Sequence, residues 1–452
     1  MSAGTMKENK MGTMPIPKLW ITMALPMIAS MLVQALYNIV DSMFVARLNE
    51  GALTAVSLAF PVQNLMIAVA AGTGVGINAL LSRSLGEKKF DMANQIARNG
   101  VFLAVVSSVV FAILGLIGSR FFFITQTSDQ KIVDYGTQYT AIITIASIGI
   151  FMQVTMERLL QSPGKTILSM VTQGVGAIIN IIFDPILIFG LFGFPRLEVA
   201  GAAVATVFGQ IVAAALGVIL NHHYNKEIHV SFRRFQPSGR IIANIYKIGM
   251  PSILMQSIGS VTTFGMNKIL LMFSSTAATV FGVYFKLQSF IFMPVFGMTN
   301  ATIPIVAFNY GARNKKRIYQ TLKLSIVLAV GIMAVGLLLF QLIPDTMLRL
   351  FEASDDMMSI GIPALRAISL SFVFAGYSIM VGCVFQALGN GIYSLIISIC
   401  RQLVIILPVA FVFAELFGLH AVWYAYPIAE IASVILSTLL LIRILKKKVR
   451  PL

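Results

Sequence analysis

The chain has 452 residues, of which 58% are hydrophobic and only 11% are charged. Too few polar side chains are present to solvate a soluble protein of this length. The net charge of +16 does not point to nucleic acid, because the basic residues gather in short blocks between long apolar runs.

In chain order, twelve apolar stretches are predicted to be membrane-spanning helices. They lie at 18–45, 52–81, 95–119, 134–157, 166–190, 200–222, 245–271, 277–306, 321–343, 357–386, 391–414 and 420–443. Each can cross a hydrocarbon core of about 30 Å. A helix keeps every backbone polar group bonded within the segment, as lipid requires. With twelve spans both termini share a side, and that side receives 24 of the 33 basic residues, among them Lys7, Lys10, Arg233, Arg234 and Lys446. The positive-inside rule then predicts a multi-pass protein of the cell membrane with both termini cytoplasmic. The first span is too long for a signal-peptide core and lacks a small-residue cleavage site. Cys383 and Cys400 fall inside spans and read as reduced thiols.

Span 1 contains Pro26 and, toward its outer end, Tyr37 and Asp41. An ionisable group in a span is costly and marks a functional candidate. Span 2 carries Gly72, Gly74 and Gly76; no strand precedes them, so close helix packing or flexing of the span is expected rather than dinucleotide binding. Glu157 stands beside Arg158 at the inner end of span 4, where a surface ion pair and a substrate contact are both compatible with the sequence. Span 5 carries Asp184 at a depth similar to Asp41, with Asn180 one turn before it and Pro185 after it. Proline frees a carbonyl one turn back. Asp41, Asn180 and Asp184 thus make an oxygen-rich set able to take a sodium ion, or a proton shared between the carboxyls. No other metal site, no cofactor and no nucleophile–base set is expected, so the chain does not read as an enzyme.

The 223–244 stretch is predicted as a cytoplasmic linker, with His222 and His223 solvated at its start. Beyond it, span 7 contains Pro251, a bend device like Pro26, together with Met255 and Met266. Lys286, Arg366 and Arg401 fall near midplane, and an Arg401–Glu430 pair is expected.

The shift that lays Pro26 on Pro251 aligns the two halves in one constant register. Gly72 then falls on Gly297, Gly86 on Gly311, Gln161 on Gln386 and Gly164 on Gly389. Two pseudo-symmetric six-helix bundles follow, a lobe at 1–222 and a lobe at 245–452, related by an axis along the membrane normal. Such a design predicts alternating access around a cavity, with Tyr37, Glu157, Met255, Met266 and Lys286 as candidate lining residues. Small-molecule substrates and membrane lipids are the expected partners, nucleic acid is not, and a monomer is expected. A channel or receptor is a weaker reading, since buried acids on a lobe repeat favour alternating access over a continuous pore.

The two-by-six repeat, Pro26, Asp41 and the Asn180…Asp184-Pro185 set resemble the multidrug and toxic compound extrusion (MATE) family. The loops Gly86-Glu87-Lys88-Lys89 and Gly311-Ala312-Arg313-Asn314 are similar to that family's repeated turn. The likeness covers about residues 15–445 and is nearest the DinF-type branch, with its MepA-like bacterial exporters. It implies an antiporter driven by protons or sodium that exports diverse, often cationic, compounds. It also implies that Asp41, Asn180 and Asp184 couple transport to the cation, with Thr206 in span 6 as a further member. Met266 stands at the repeat equivalent of Asp41, so no matching site is expected in the second lobe. The basic residues of that lobe keep open a second reading, a lipid-linked oligosaccharide flippase of the same superfamily.

Overall fold

A computed structural model describes residues 9–233, 235–351 and 353–452. Lys7 and Arg234, counted above among the basic residues, lie outside that set. Among the described residues all regular structure is helical. The helices are α1 Lys10–Thr13, α2 Ile16–Ala46, α3 Glu50–Gly86, α4 Phe90–Gln126, α5 Gln130–Ile145, α6 Ile148–Gln161, α7 Thr166–Phe189, α8 Val199–Tyr224 and α9 Gly239–Leu271. They continue with α10 Ser275–Gly311, α11 Lys315–Leu342, α12 Pro344–Arg349, α13 Asp355–Ser369, α14 Phe372–Ala387, α15 Gly391–Ile399, α16 Leu407–Phe417, α17 Leu419–Val422 and α18 Ala425–Ile444.

These elements supply the twelve predicted spans. Nine are long apolar helical runs, and two are bent pairs, α5–α6 at 43° and α13–α14 at 46°. The remaining one is α9, 33 residues long, whose uncharged centre is diluted by small and polar residues such as Ser252, Gln256, Ser257, Thr262 and Thr263. The two helix breaks lie away from the prolines singled out from sequence. Both α2 and α9 are continuous through Pro26 and Pro251. Instead the chain turns at Ala146–Ser147 and Leu370–Ser371, where neither residue is proline. At the second break the buried Ser371 hydroxyl donates to Ile368 O at 2.6 Å and competes for a local carbonyl, whereas at the first Ser147 Oγ donates across to Ser108 O of α4 at 3.3 Å. A π-helical stretch, Cys400–Ile406, joins α15 to α16.

The repeat is visible in backbone detail. Lys88 and Arg313, equivalent positions of the two halves, both adopt the left-handed conformation with φ of 57° and 55°. Gly164 and Gly389 form a second matched pair at φ of 89° and 76°. The same closing bonds recur, Lys89 N to Ser84 O and Asn314 N to Asn309 O, each 2.9 Å. These are helix-ending turns in which an αL residue satisfies the last carbonyls. In the first turn Glu87 Oε1 accepts from Arg83 Nε at 2.8 Å, and Oε2 pairs with Lys89 Nζ at 2.7 Å. Burial pushes the Glu87 carboxyl up, but Lys89 and Arg83 outweigh it and hold the group below the usual carboxylate range.

The chain forms two compact units whose limits are not those of its halves. One unit, Ala29–Met250, is continuous; the other combines Met1–Ile28 with Pro251–Leu452. The boundaries fall inside α2 and α9, beside Pro26 and Pro251. The division expected at 1–222 and 245–452 follows the sequence repeat, whereas these units follow contacts. Small residues explain the assignment of the start of α9. A Cβ on Gly76 would stand 2.2 Å from the Ile245 carbonyl oxygen, and one on Gly249 would stand 2.6 Å from the Gly72 oxygen. The bare backbone of α3 admits α9 at a distance no side chain permits. In the other unit, Trp20 Nε1 donates to Thr302 Oγ1 at 3.2 Å, and Asn309 Nδ2 donates to Met11 O at 3.1 Å.

The segment predicted as a solvated linker is shorter and docked. Helix α8 runs to Tyr224 and α9 begins at Gly239. Between them Asn225 is buried and donates to Leu159 O at 2.9 Å. His229 N and Ser238 N donate to the side chains of Asn94 and Asn99 on α4, at 2.7 and 2.9 Å. His222 and His223 are exposed.

Candidate functional site

The acids of the continuous unit converge. Asp41 and Asp184 each stand in the last two turns of their helices, α2 and α7. The two carboxyl groups are direct neighbours. Asp184 is fully buried, whereas Asp41 is half-buried. Asp41 Oδ1 is nevertheless shielded from solvent and has no hydrogen-bond partner.

Helix α8 completes the cluster. Gly176 of α7 and Gly209 of α8 let the two backbones meet, since a Cβ on Gly209 would stand 2.6 Å from the Gly176 oxygen. That contact brings Asn180 against Thr206. With the Asn180 amide oriented to satisfy both ends, its nitrogen donates to Asp184 Oδ2 at 3.2 Å. Its oxygen then accepts from Thr206 N at 3.2 Å and from Thr206 Oγ1 at 3.1 Å. Asn180 and Thr206 are both buried. Three helices thus place two carboxyls, an amide and a hydroxyl together in one unit.

Two tyrosines close the group. Tyr37, one turn before Asp41, and Tyr139 of α5 both lie within electrostatic reach of Asp41 and Asp184. Tyr139 is only 1% exposed and is hydrogen-bonded to Gln63 of α3. Sequence reasoning missed Tyr139 and Gln63. A tyrosine or glutamine in a span carries no penalty comparable to a carboxylate, so neither stands out. On the same faces of α2 and α7, Gln173 Nε2 donates to Gln34 Oε1 at 3.1 Å.

The other candidates scatter. Glu157 is buried and accepts from Gln153 Nε2 at 3.0 Å. Arg158 is also buried, so the two neighbours do not sit at a surface, and its Nη1 donates to Gln161 Oε1 at 2.6 Å. Met266 is fully enclosed by packing and lines no open cavity; Met255 is half-buried. Lys286 is exposed, with its ammonium 5.9 Å from the Phe351 ring. Arg366 is exposed as well. Of the three bases expected near midplane, Arg401 is the one that protein partly encloses. Its Nη1 donates to Glu430 Oε1 at 2.9 Å, with the two side chains 24% and 9% exposed. That pair lies on the π-helical stretch and α18.

The MatE family model matches twice, over residues 26–186 and 251–412. The chain is 27% identical to the multidrug export protein MepA of Staphylococcus haemolyticus, over 92% of its own length and 90% of that protein's. Two solved structures are each 26% identical and cover 98% of this chain and 99% of the other. One is an outward-facing multidrug resistance MATE family transporter of the MOP superfamily, at a TM-score of 0.92. The other, at 0.91, is a MOP superfamily transporter from Pyrococcus furiosus whose reversed pocket polarity is described as suggesting a different function. The two family matches begin at Pro26 and at its repeat equivalent Pro251, and together they span most of the sequence: the chain belongs to the MatE family and has the fold of a multi-pass membrane transporter.

Proposed function

We propose that this protein is a cation-coupled antiporter that exports small organic compounds by alternating access. The observation that carries the proposal is the Asp41–Asp184 neighbourhood with Asn180 and Thr206. Two adjacent carboxyls shielded from water cannot both hold charge unless a cation joins them. One cation, a proton or a sodium ion, is then the natural guest of the cluster. Asp41 and Asp184 supply the charge, while Asn180 and Thr206 supply neutral oxygens and fix the carboxyl geometry.

The cycle runs as an exchange. Facing outward, the cluster takes up the cation and loses net charge. That change disfavours the bound compound, which leaves outward. Facing inward, the cation departs and the compound binds again. Export of chemically varied compounds is supported by the relation to a multidrug export protein. The flippase reading is less well supported, because the chain's relative is a multidrug export protein and the Arg401 charge is paired with Glu430.

The test is transport of a fluorescent organic cation into proteoliposomes under an imposed proton or sodium gradient. The Asp41→Asn variant should reach the membrane at the wild-type level yet show no gradient-driven transport. Normal transport by that variant would overturn the proposal, and the gradient that drives the wild type identifies the ion.

A further inference from the structure

Two turns with one backbone carry different electrostatics. The α3–α4 turn, Glu87 to Asp91, holds two acids and two bases, and Glu87 pairs with Arg83 and Lys89. At the equivalent positions of the second half, Ala312 replaces Glu87, Lys315 replaces Phe90 and Lys316 replaces Asp91. The α10–α11 turn, with the same αL residue at Arg313, therefore holds three bases and no acid.

Those bases line a cleft. A cavity of about 670 Å³ is bordered by Arg313, Lys315, Lys316, Tyr319, Gln320 and Leu452, among others. The volume lies within the range of ligand pockets, about 300–1,000 Å³. All three basic residues and Tyr319 are exposed to it and to solvent. None of the three forms an ion pair with a carboxylate among the described residues. Arg317, the base that follows the turn, points elsewhere and donates to Met11 O, Met14 O and Asn309 Oδ1. Lys315 Nζ donates to Arg450 O at 3.3 Å, which ties this turn to the basic segment Leu445–Val449.

We propose that this cleft binds the phosphodiester headgroup of an anionic phospholipid. The turn joins two membrane-spanning helices, so it lies at headgroup depth. Tyr319, one turn into α11, is an amphipathic ring of the kind that settles at that level. Basic pockets at the ends of spanning helices take anionic headgroups, and each nearby base strengthens binding about fivefold. The neutralised α3–α4 turn is an internal control, since it repeats the fold without the charge.

The experiment measures retention of phosphatidylglycerol by the full chain in mixed phosphatidylcholine–phosphatidylglycerol micelles, read by native mass spectrometry. The Arg313→Gln/Lys315→Gln/Lys316→Gln variant should weaken retention about a hundredfold. The Ala312→Glu/Lys316→Asp variant, which copies the acids of the other turn, should weaken it as well. Lys88→Gln/Lys89→Gln should leave retention unchanged. Inorganic phosphate at millimolar concentration should not displace the lipid. Unchanged retention in the first two variants would overturn the proposal, as would an equal loss in the Lys88/Lys89 variant or displacement by inorganic phosphate. All substituted side chains in the cleft are exposed, and unfolding curves for each variant identify any that fail to fold.

Discussion

Replacing Gly76 by alanine should destabilise the continuous unit more than any other single methyl group on its helices could at an open site. A Cβ at Gly76 would lie 2.2 Å from the Ile245 carbonyl oxygen, well inside the 3.0 Å that real Cβ atoms respect. The clashing atom is backbone, so no rotamer change relieves it. Either α3 and α9 separate by most of that difference, or the Ile245 peptide tilts away from its own helix. Overpacking of a tight interface costs about 1–3 kcal/mol, and a backbone clash belongs at the upper end. For a unit of this size, about 2–4 °C per kcal/mol is expected, so the midpoint should fall by roughly 6–12 °C. Gly118 on α4 is the control, because a Cβ there meets nothing within 4 Å. Gly118→Ala should be neutral or slightly stabilising, since alanine is the better helix former by up to about 1 kcal/mol. The assay is thermal unfolding of both purified variants in the same detergent. Equal midpoints would refute the claim that bare backbone at Gly76 holds the start of α9.

Three further outcomes follow from local geometry. Arg401→Ala and Glu430→Ala should each cost about 3 kcal/mol, because each leaves a largely buried charge alone, while the double variant should cost far less than their sum; additive losses of stability would exclude a coupled pair. Asn180→Ala should cost about 1–3 kcal/mol in thermal unfolding, by leaving Asp184 Oδ2 and Thr206 without their shared partner; a Thr206→Ala change made on top of it should then add little. The Glu87 carboxyl titrates below the usual range, so it stabilises the fold above the ordinary carboxylate pKa, and that contribution is lost as pH falls through its own. The stability difference between wild type and Glu87→Gln should therefore be full at neutral pH and shrink as pH falls below the ordinary carboxylate pKa, and a difference that stays constant through the acid titration would contradict the Lys89 and Arg83 contacts.

How much of this was legible beforehand depended on what lipid penalises. Asp41 and Asp184 stand out because a carboxylate in an apolar span is costly, and Asn180 stands out by its spacing from Asp184. Tyr139 and Gln63 carry no such signal, although they complete the same cluster. The repeat was legible through matched turn residues, because a left-handed helix end constrains sequence, as at Gly164 and Gly389. The unit boundaries within α2 and α9 were not. An apolar run reports only that a segment is in lipid, and says nothing of which neighbours it joins. The trace of that choice was the Gly72-x-x-x-Gly76 surface, read from sequence as close packing without a named partner. The bends at Ser147 and Ser371 were missed for a related reason: proline advertises a break, whereas a serine hydroxyl that captures a carbonyl looks like any small polar residue.

The partition of α2 also bears on the order in which the protein is made. Residues up to Ile28 leave the ribosome first, yet they belong to the unit completed last. Trp20 meets its partner Thr302 across 282 residues of chain, and Met11 meets Asn309 across 298. The continuous unit is complete once Met250 has emerged. Throughout that interval the leading segment is in the membrane without its own neighbours, and the insertion machinery or surrounding lipid must shelter it. A nascent chain cut between its two halves would accordingly yield neither unit whole, and the two fragments would recover both only by exchanging the opening parts of α2 and α9, up to Ile28 and Met250.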